Sequence, residues 1–133
     1  MLRNHSHYSL LSSTSRCSQI ANTCKKHGYS NAGITDISSI SGCVNFIQAC
    51  KKAEIKPIIG SEIILDNDSR ITLICKNNNA WTQLLKIISI SNSPDHFKDT
   101  PKIPFDLLID NIRGEDFVCI DGYIGSLFFS KIL

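Results

Sequence analysis

The sequence contains six cysteines among 133 residues but no pair in the CxxC arrangement. Cys17 and Cys24 are seven residues apart, and so are Cys43 and Cys50. Each pair therefore lies along one helix face with two turns between the sulfurs, which excludes a disulfide within a helix. Free cysteine behaves as a small buried hydrophobe. We therefore expect a reduced protein of the cytoplasm rather than a disulfide scaffold.

Long apolar runs and a strong excess of one charge are also missing. No stretch approaches the ~20 apolar residues of a membrane-spanning helix, and no signal peptide is visible. The formal net charge is +2, and the longest basic runs are Lys25-Lys26 and Lys51-Lys52. Each pair falls near a predicted helix end, where cations favour the helix dipole. The sequence thus predicts no membrane partner, and contact with DNA only indirectly, through other proteins.

Alternating hydrophobic patterns predict strands and helices in turn along the chain. Strands are expected at Met1–Asn4, Asn31–Asp36, Lys56–Leu65, Arg70–Cys75 and Asp116–Asp121. Helices are expected at Cys17–Gly28, Gly42–Ala53, Trp81–Ile88, Pro104–Asn111 and Ser126–Leu133. The third and fourth of these strands, Lys56–Leu65 and Arg70–Cys75, could form a hairpin across an Asp-Asn-Asp turn. This alternation predicts an α/β fold with a mainly parallel sheet.

Helical spacing also indicates which side chains face the core. In the second helix, an apolar side is predicted from Val44, Ile47, Ala49 and Cys50. In the third helix, Trp81 is expected in the core, on the same face as the side chains Leu84, Leu85 and Ile88.

Three polar residues fall at or just past predicted strand ends: His5, Asp36 and Glu62. In α/β barrels, chemistry gathers at the carboxyl ends of the strands. Imidazole and carboxylate ligands suit Zn, Mn or Fe, and a bound metal can activate water for phosphoester hydrolysis. Alternatively, Asp36 caps the following helix, Glu62 is a strand-end carboxylate and His5 is a satisfied polar residue. The spacing alone favours this second interpretation.

Four blocks of the sequence carry a resemblance that bears on this choice. They are LRNHSHYSLL, AGITDISSISGCVNFIQACKKAEIKPIIGSE, ITLICKNNNAWTQLLKIIS and DFVCIDGYIGS. In this order they resemble the PHP (polymerase and histidinol phosphatase) domain, in the form that opens bacterial DNA polymerase III alpha subunits. The resemblance implies a distorted α/β barrel. Residues 1–133 would form one partial domain, equivalent to its N-terminal half.

The resemblance implies that part of the family's metal-ligand set is retained. His5 takes the second position of the family's opening H-x-H motif, Asp36 remains from its TDH motif, and Glu62 follows the KPIIG block. His7 falls where the family has an acidic residue, so it is at most an accessory ligand. On this resemblance, His5, Asp36 and Glu62 are candidates for a vestigial metal site.

Other ligand positions of the family are replaced in this sequence. Arg3 takes the first position of the H-x-H motif, and Arg70 takes the place of a histidine at the head of the following strand. Further replacements are Ser12, Ile37 and Tyr123. A guanidinium cannot ligate a metal and repels one, but it can neutralise a carboxylate. We therefore expect Arg3 or Arg70 to pair with Asp36 or Glu62, and no cofactor; an active site would need Zn or Mn.

Three functions remain open at this stage. The first is a degenerate, noncatalytic module of DNA replication that docks or stabilises a polymerase or a proofreading exonuclease. The second is a metal-dependent phosphoesterase acting on nucleotide or DNA phosphoesters through His5, His7, Asp36 and Glu62. The third is a remnant of a split or decayed polymerase gene, completed by a partner. The sequence has no polymerase palm or fingers, so polymerisation by this chain alone is not expected.

The C-terminal segment adds an expectation about assembly. Its apolar side chains cannot all lie on one helix face: Leu127, Phe128, Phe129, Ile132 and Leu133. A half-barrel would also leave an unpaired sheet edge. The sequence therefore predicts either self-association through the C-terminal helix or burial of that helix against a replication protein.

Overall fold

The computed structural model describes residues 1–121, which contain four α-helices and four strands. The elements are α1 (Cys17–Lys26), β1 (Asn31–Ile37), α2 (Cys43–Lys52), β2 (Lys56–Ile64), β3 (Arg70–Cys75), α3 (Asn78–Ser91), α4 (Phe105–Asp110) and β4 (Phe117–Ile120). Most predicted elements are confirmed within a few residues. The predicted helix at Ser126–Leu133, with its role in self-association, lies outside the described residues. Within residues 1–121, no helix is long and apolar enough to cross a membrane.

The four strands form one sheet in the order β1-β2-β3-β4. Only β1 and β2 run parallel, whereas β2–β3 and β3–β4 are antiparallel. The prediction of a mainly parallel sheet is therefore wrong. The hairpin between β2 and β3, which the sequence also predicts, makes these two strands antiparallel. A tight turn joins β2 to β3, in which the Leu65 amide and the Ser69 carbonyl are 2.8 Å apart and Asp68 has φ +65°. A turn this short can connect only antiparallel neighbours.

The segment before α1 runs beside β1 without joining the sheet as a strand. The amides of Gly33 and Thr35 donate to the carbonyls of Met1 and Asn4, at 2.9 and 2.8 Å. The Asn4 side-chain amide donates a hydrogen bond to the Gly33 carbonyl at 2.9 Å. The regular backbone ladder of the predicted strand Met1–Asn4 is therefore interrupted. A side chain at Gly33 would place its Cβ 2.1 Å from the Leu2 carbonyl oxygen. Glycine at this position therefore allows the segment to lie against β1.

The core consists of two clusters on the helical side of the sheet. One joins α1 and α2 to β1, and the other joins α3 and α4 to β2 and β3. In α2 the buried side chains are Cys43, Phe46 and Cys50. Val44 and Ile47, predicted to face the core, are 66% and 43% exposed. The buried face of α2 therefore begins one residue earlier than predicted.

Trp81 lies between the two clusters rather than inside one. It is half-buried and contacts both of them. Of its predicted partners in α3, Leu84 is fully buried whereas Leu85 is 37% exposed. Ile87 takes the buried position one turn further along the helix. Trp81 therefore links two packed layers and keeps part of its ring at the surface.

The cysteines behave as the sequence predicts for the four in α1 and α2, which are free and buried. Burial raises the pKa of the Cys43 thiol to about 12 and that of Cys50 to about 11. Cys119 in β4 is exposed and Val118 is 45% exposed, so the prediction of a buried strand there is wrong. Among the described strands, β4 has only β3 as a neighbour and lies at the sheet edge.

Candidate functional site

The predicted site residues gather near the carboxyl ends of β1 and β2, but on two faces of the sheet. Asp36 is in register with Ser61, whereas Glu62 is in register with Ile37. Because successive side chains of a strand point to opposite faces, Asp36 and Glu62 are directed away from each other. Asp36 shares the parity of Ala32 and faces the helical layer. The structure therefore divides the predicted ligand set into two centres.

The first centre is the Glu62 cluster, which consists of Glu62, Arg3, His5 and Arg70. The Glu62 side chain is fully buried. Its Oε2 accepts from Arg3 Nε at 3.1 Å and Nη2 at 2.5 Å, and lies 3.2 Å from His5 Nε2. Its Oε1 accepts from Arg70 Nη1 at 2.8 Å. Arg3 and Arg70 are thus both bonded to one carboxylate, as the sequence predicts of at least one of them.

Two opposing effects act on the ionisation of Glu62. Burial raises the pKa of its carboxyl group, because a charge is less well solvated in the protein interior. Hydrogen bonds from His5, Arg70 and Arg3 lower the pKa and prevail, so that it falls from 4.5 to about 2. Glu62 is therefore an ionised carboxylate that the surrounding cations hold in its charged form.

The second centre is formed around Asp36, which is also buried. The Ser6 amide and hydroxyl donate to its carboxylate at 2.6 and 2.7 Å, and the Ser9 hydroxyl donates at 2.7 Å. The Ser9 oxygen in turn accepts from the Ile37 amide at 3.1 Å. Asp36 thus fastens the loop after the N-terminal segment to the end of β1.

Asp36 does not cap helix α2, so the alternative interpretation of this residue is wrong. Helix α2 begins after Gly42, which makes no side-chain cap. A Cβ at Gly42 would lie 2.8 Å from Asp36 Oδ2 and 3.1 Å from the Ser6 hydroxyl. Glycine is therefore needed here to leave room for the bonded carboxylate.

The sequence pattern does not reveal Ser6 and Ser9, the two serines that hold Asp36. They lie on either side of His7-Tyr8, three residues apart, and a serine spacing alone gave no signal. His7 itself is exposed, and its ring lies 4.4 Å from the Tyr8 ring, centroid to centroid. It takes no part in the Glu62 cluster.

The carboxylate oxygens of Glu62 and Asp36 are already engaged by donors of the protein, which leaves them poorly suited to bind a divalent metal. A ligand must offer a lone pair, but the Glu62 oxygens accept from guanidinium groups, which repel a cation. The Asp36 oxygens already accept three hydrogen bonds. Within the described part of the chain, no group of three or more His, Cys, Asp and Glu side chains is placed to hold a metal. These side chains, as arranged, do not fit Zn or Mn.

An open cleft of about 690 Å³ lies beside Arg70, at the same end of the sheet. Its walls combine hydroxyl groups with apolar side chains, among them Ser9, Ser38, Ile64 and Phe97. The Glu62 cluster therefore lies next to a surface recess, although Glu62 itself is fully buried.

The low pKa of Glu62 predicts a loss of stability in acid. Above about pH 4.5 the group is ionised in the folded and the unfolded chain, and its full contribution is present. As the pH falls from 4.5 towards about 2, the unfolded chain binds a proton that folded Glu62 does not, and the contribution is lost. Urea unfolding across this range measures it. A free energy of unfolding that is flat from pH 5 to pH 2 would contradict the prediction.

Comparison with known proteins first defines the class of fold. A crystal structure from Bifidobacterium adolescentis, of a protein proposed to be a metal-dependent phosphoesterase, matches with a TM-score of 0.52 and 14% identity. The match covers 68% of this chain and 33% of that one. At this identity the likeness shows the fold alone, a mixed α/β fold like that of the Bifidobacterium protein.

The sequence then identifies the family. The PHP domain model matches residues 1–130, and the chain belongs to the PHP domain family. DNA polymerase III subunit alpha of Borreliella burgdorferi is 33% identical over 146 residues, covering 99% of this chain. The Bacillus subtilis protein of the same name is 34% identical over 98 residues, covering 69% of this chain. This chain spans only 12% and 9% of the length of these relatives.

Proposed function

We propose that this chain is a noncatalytic PHP module that works beside a replicative DNA polymerase. The observation that supports this most directly is the Glu62 cluster. Two guanidinium groups and an imidazole lie on one buried carboxylate, at positions where the family resemblance implies metal ligands. The cluster replaces a bound cation by cations of the protein itself.

The physical role of such a replacement is structural. A buried carboxylate without a partner costs several kcal/mol of solvation free energy, so a site that loses its metal must neutralise Glu62 in another way. Arg3 comes from the N-terminal segment and Arg70 from β3, while Glu62 belongs to β2. The cluster therefore cross-links three parts of the chain where a metal would otherwise do so.

The setting of this module is also part of the proposal. Relatives named DNA polymerase III subunit alpha support a place in replication, with a polymerase or a proofreading exonuclease as the partner and the cytoplasm as the compartment. The four-stranded sheet would be part of a distorted barrel of the PHP type. Docking or stabilisation, rather than hydrolysis, would be its contribution.

Metal analysis of the purified chain tests the noncatalytic role. After dialysis, we expect Zn and Mn well below one equivalent, and no hydrolysis of a DNA 3′-phosphate or of p-nitrophenyl phosphate with either metal added. The double variant Arg3→His, Arg70→His should bind more Mn than the natural chain, because it removes two repelling charges and restores two imidazoles. Recovery of a polymerase or exonuclease with the tagged chain from its own host would support the replication partner.

A metal-dependent phosphoesterase is the competing function, because the chain keeps His5, Asp36 and Glu62 and shares its fold with a phosphoesterase. About one equivalent of Zn or Mn, with hydrolysis that His5→Ala abolishes, would overturn the noncatalytic proposal. His5→Ala suits this purpose because both guanidinium partners of Glu62 remain in place.

A further inference from the structure

A second recess lies between α2, β2 and α3. We call it the Trp81 groove. It measures about 740 Å³, and its lining includes Ile47, Lys56, Ile58, Lys76 and Trp81. No residue of the Glu62 cluster contributes to this lining. Substitutions in the groove can therefore be tested without altering the Glu62 cluster.

The walls of the groove include apolar side chains that remain partly exposed to water. Ile47 is 43% exposed, and Ile58 and Trp81 are half-buried. Trp81 contacts both core clusters beneath it, so its ring is held in place. A fixed tryptophan in an apolar recess has the character of a binding hot spot.

The charge of the lining is of one sign. Lys56 and Lys76 are the charged residues among the described ones that form it, and none is acidic. The Lys76 ammonium donates to the Glu115 carbonyl at 2.6 Å, which positions the charge and leaves further protons for a ligand. Its charge also acts on the Asp116 carboxylate, so Lys56 is the cation of the lining that faces solvent most freely. Glu54, two residues before Lys56, pairs with Lys25 rather than with Lys56: its Oε2 lies 3.8 Å from Lys25 Nζ. The groove thus presents an apolar floor with cations at its edge.

We propose that the Trp81 groove docks an acidic segment of a partner protein that carries an apolar anchor residue. The anchor lies against Trp81 and Ile47, and carboxylates on either side of it pair with Lys56 and Lys76. Two lysines are too few for a nucleic-acid surface, which relies on many phosphate contacts. The proposal goes beyond the noncatalytic module, because it assigns a partner chemistry to residues that the proposed function does not use.

The experiment uses Trp81 as its own reporter, since it is the single tryptophan of the chain. The probe is a nine-residue synthetic peptide with a central Leu-Phe pair flanked by aspartates. Titration into the full chain should give a saturable blue shift of tryptophan emission. The double variant Lys56→Glu, Lys76→Glu should weaken binding at least tenfold, and Ile47→Asp should do the same. Higher salt should weaken binding of the natural chain.

Two controls separate this site from general charge effects. Lys26→Glu, an exposed lysine of α1 outside the groove, should bind the peptide as the natural chain does. A peptide with lysines in place of the aspartates should not bind. The proposal is overturned if emission does not change, or if the double variant binds equally well while its circular dichroism shows a folded chain. It is also overturned if single-stranded DNA, or dilution of the protein alone, produces the same shift.

Discussion

Replacing Glu62 by glutamine should lower the free energy of unfolding by about 3 kcal/mol. Removing one partner of a buried ion pair costs about 3–5 kcal/mol, because the remaining charges lose their compensation. The lower end applies here, since the side chains of Arg3 and Arg70 are 36% and 34% exposed and can recover some water. Glutamine keeps the shape of Glu62 and one acceptor, so the loss reports charge rather than volume. Urea unfolding at neutral pH measures it.

The matched control is Glu54→Gln. Glu54 is 85% exposed and lies 3.8 Å from Lys25, so its loss should cost less than about 1 kcal/mol. The two variants remove the same chemical group from a buried and an exposed ion pair. Equal effects of the two substitutions would show that the Glu62 cluster is no stronger than a surface pair. Glu62→Gln should also reduce the loss of stability between pH 4.5 and about 2.

Phe46→Ala should destabilise the chain by about 3–5 kcal/mol. Phe46 is fully buried in the cluster that joins α1 and α2 to β1, and truncation of a buried phenylalanine leaves a cavity that the core fills only in part. Thermal unfolding or urea unfolding of the natural and variant chains measures the difference.

Val44→Ala on the same helix is the control for Phe46→Ala. Val44 is 66% exposed, so its truncation should change the stability by less than about 0.5 kcal/mol. A larger loss for Val44→Ala than for Phe46→Ala would mean that α2 packs through the face that the sequence pattern indicates. The pair thus decides which face of α2 is buried.

Local patterns were sufficient for most of the secondary structure. The spacing of Cys17 and Cys24 places both on one face of α1, and the structure buries them there with Ile20 and Ala21. The turn chemistry after Leu65 predicts the hairpin that the structure contains. These features depend on residues close together in the sequence, which is why a single sequence can reveal them.

The direction of the strands and the faces of the site residues depend on longer-range pairing. Strand and helix alternation suggested a parallel sheet, but α3 and α4 return the chain to β4 antiparallel to β3. The ends of β1 and β2 do meet, as predicted, yet their register directs Asp36 and Glu62 to opposite faces. A shift of one residue would have reversed this. Because β1 is buried on both faces, its sequence has no alternating pattern that would fix the register.

The arginines of the site were predictable for a different reason. Their positions came from the family resemblance, and their chemistry indicated that they would pair with a carboxylate rather than bind metal. The sequence left open which carboxylate they would choose. The structure places both on Glu62, whereas serines hold Asp36. Ser6 and Ser9 could not be found, because short hydroxyl side chains have many roles in loops.

The wide sequence separation within the Glu62 cluster has a consequence for synthesis on the ribosome. Arg3 is translated 59 residues before the glutamate that it contacts. At about 5–20 residues per second, it waits roughly 3–12 s for that partner. The backbone of the N-terminal segment has its own partners earlier, because Gly33 and Thr35 precede Glu62 in the chain. The Arg3 guanidinium should therefore stay in water until Glu62 is made, so the buried ion pair forms after the N-terminal backbone has bonded to β1.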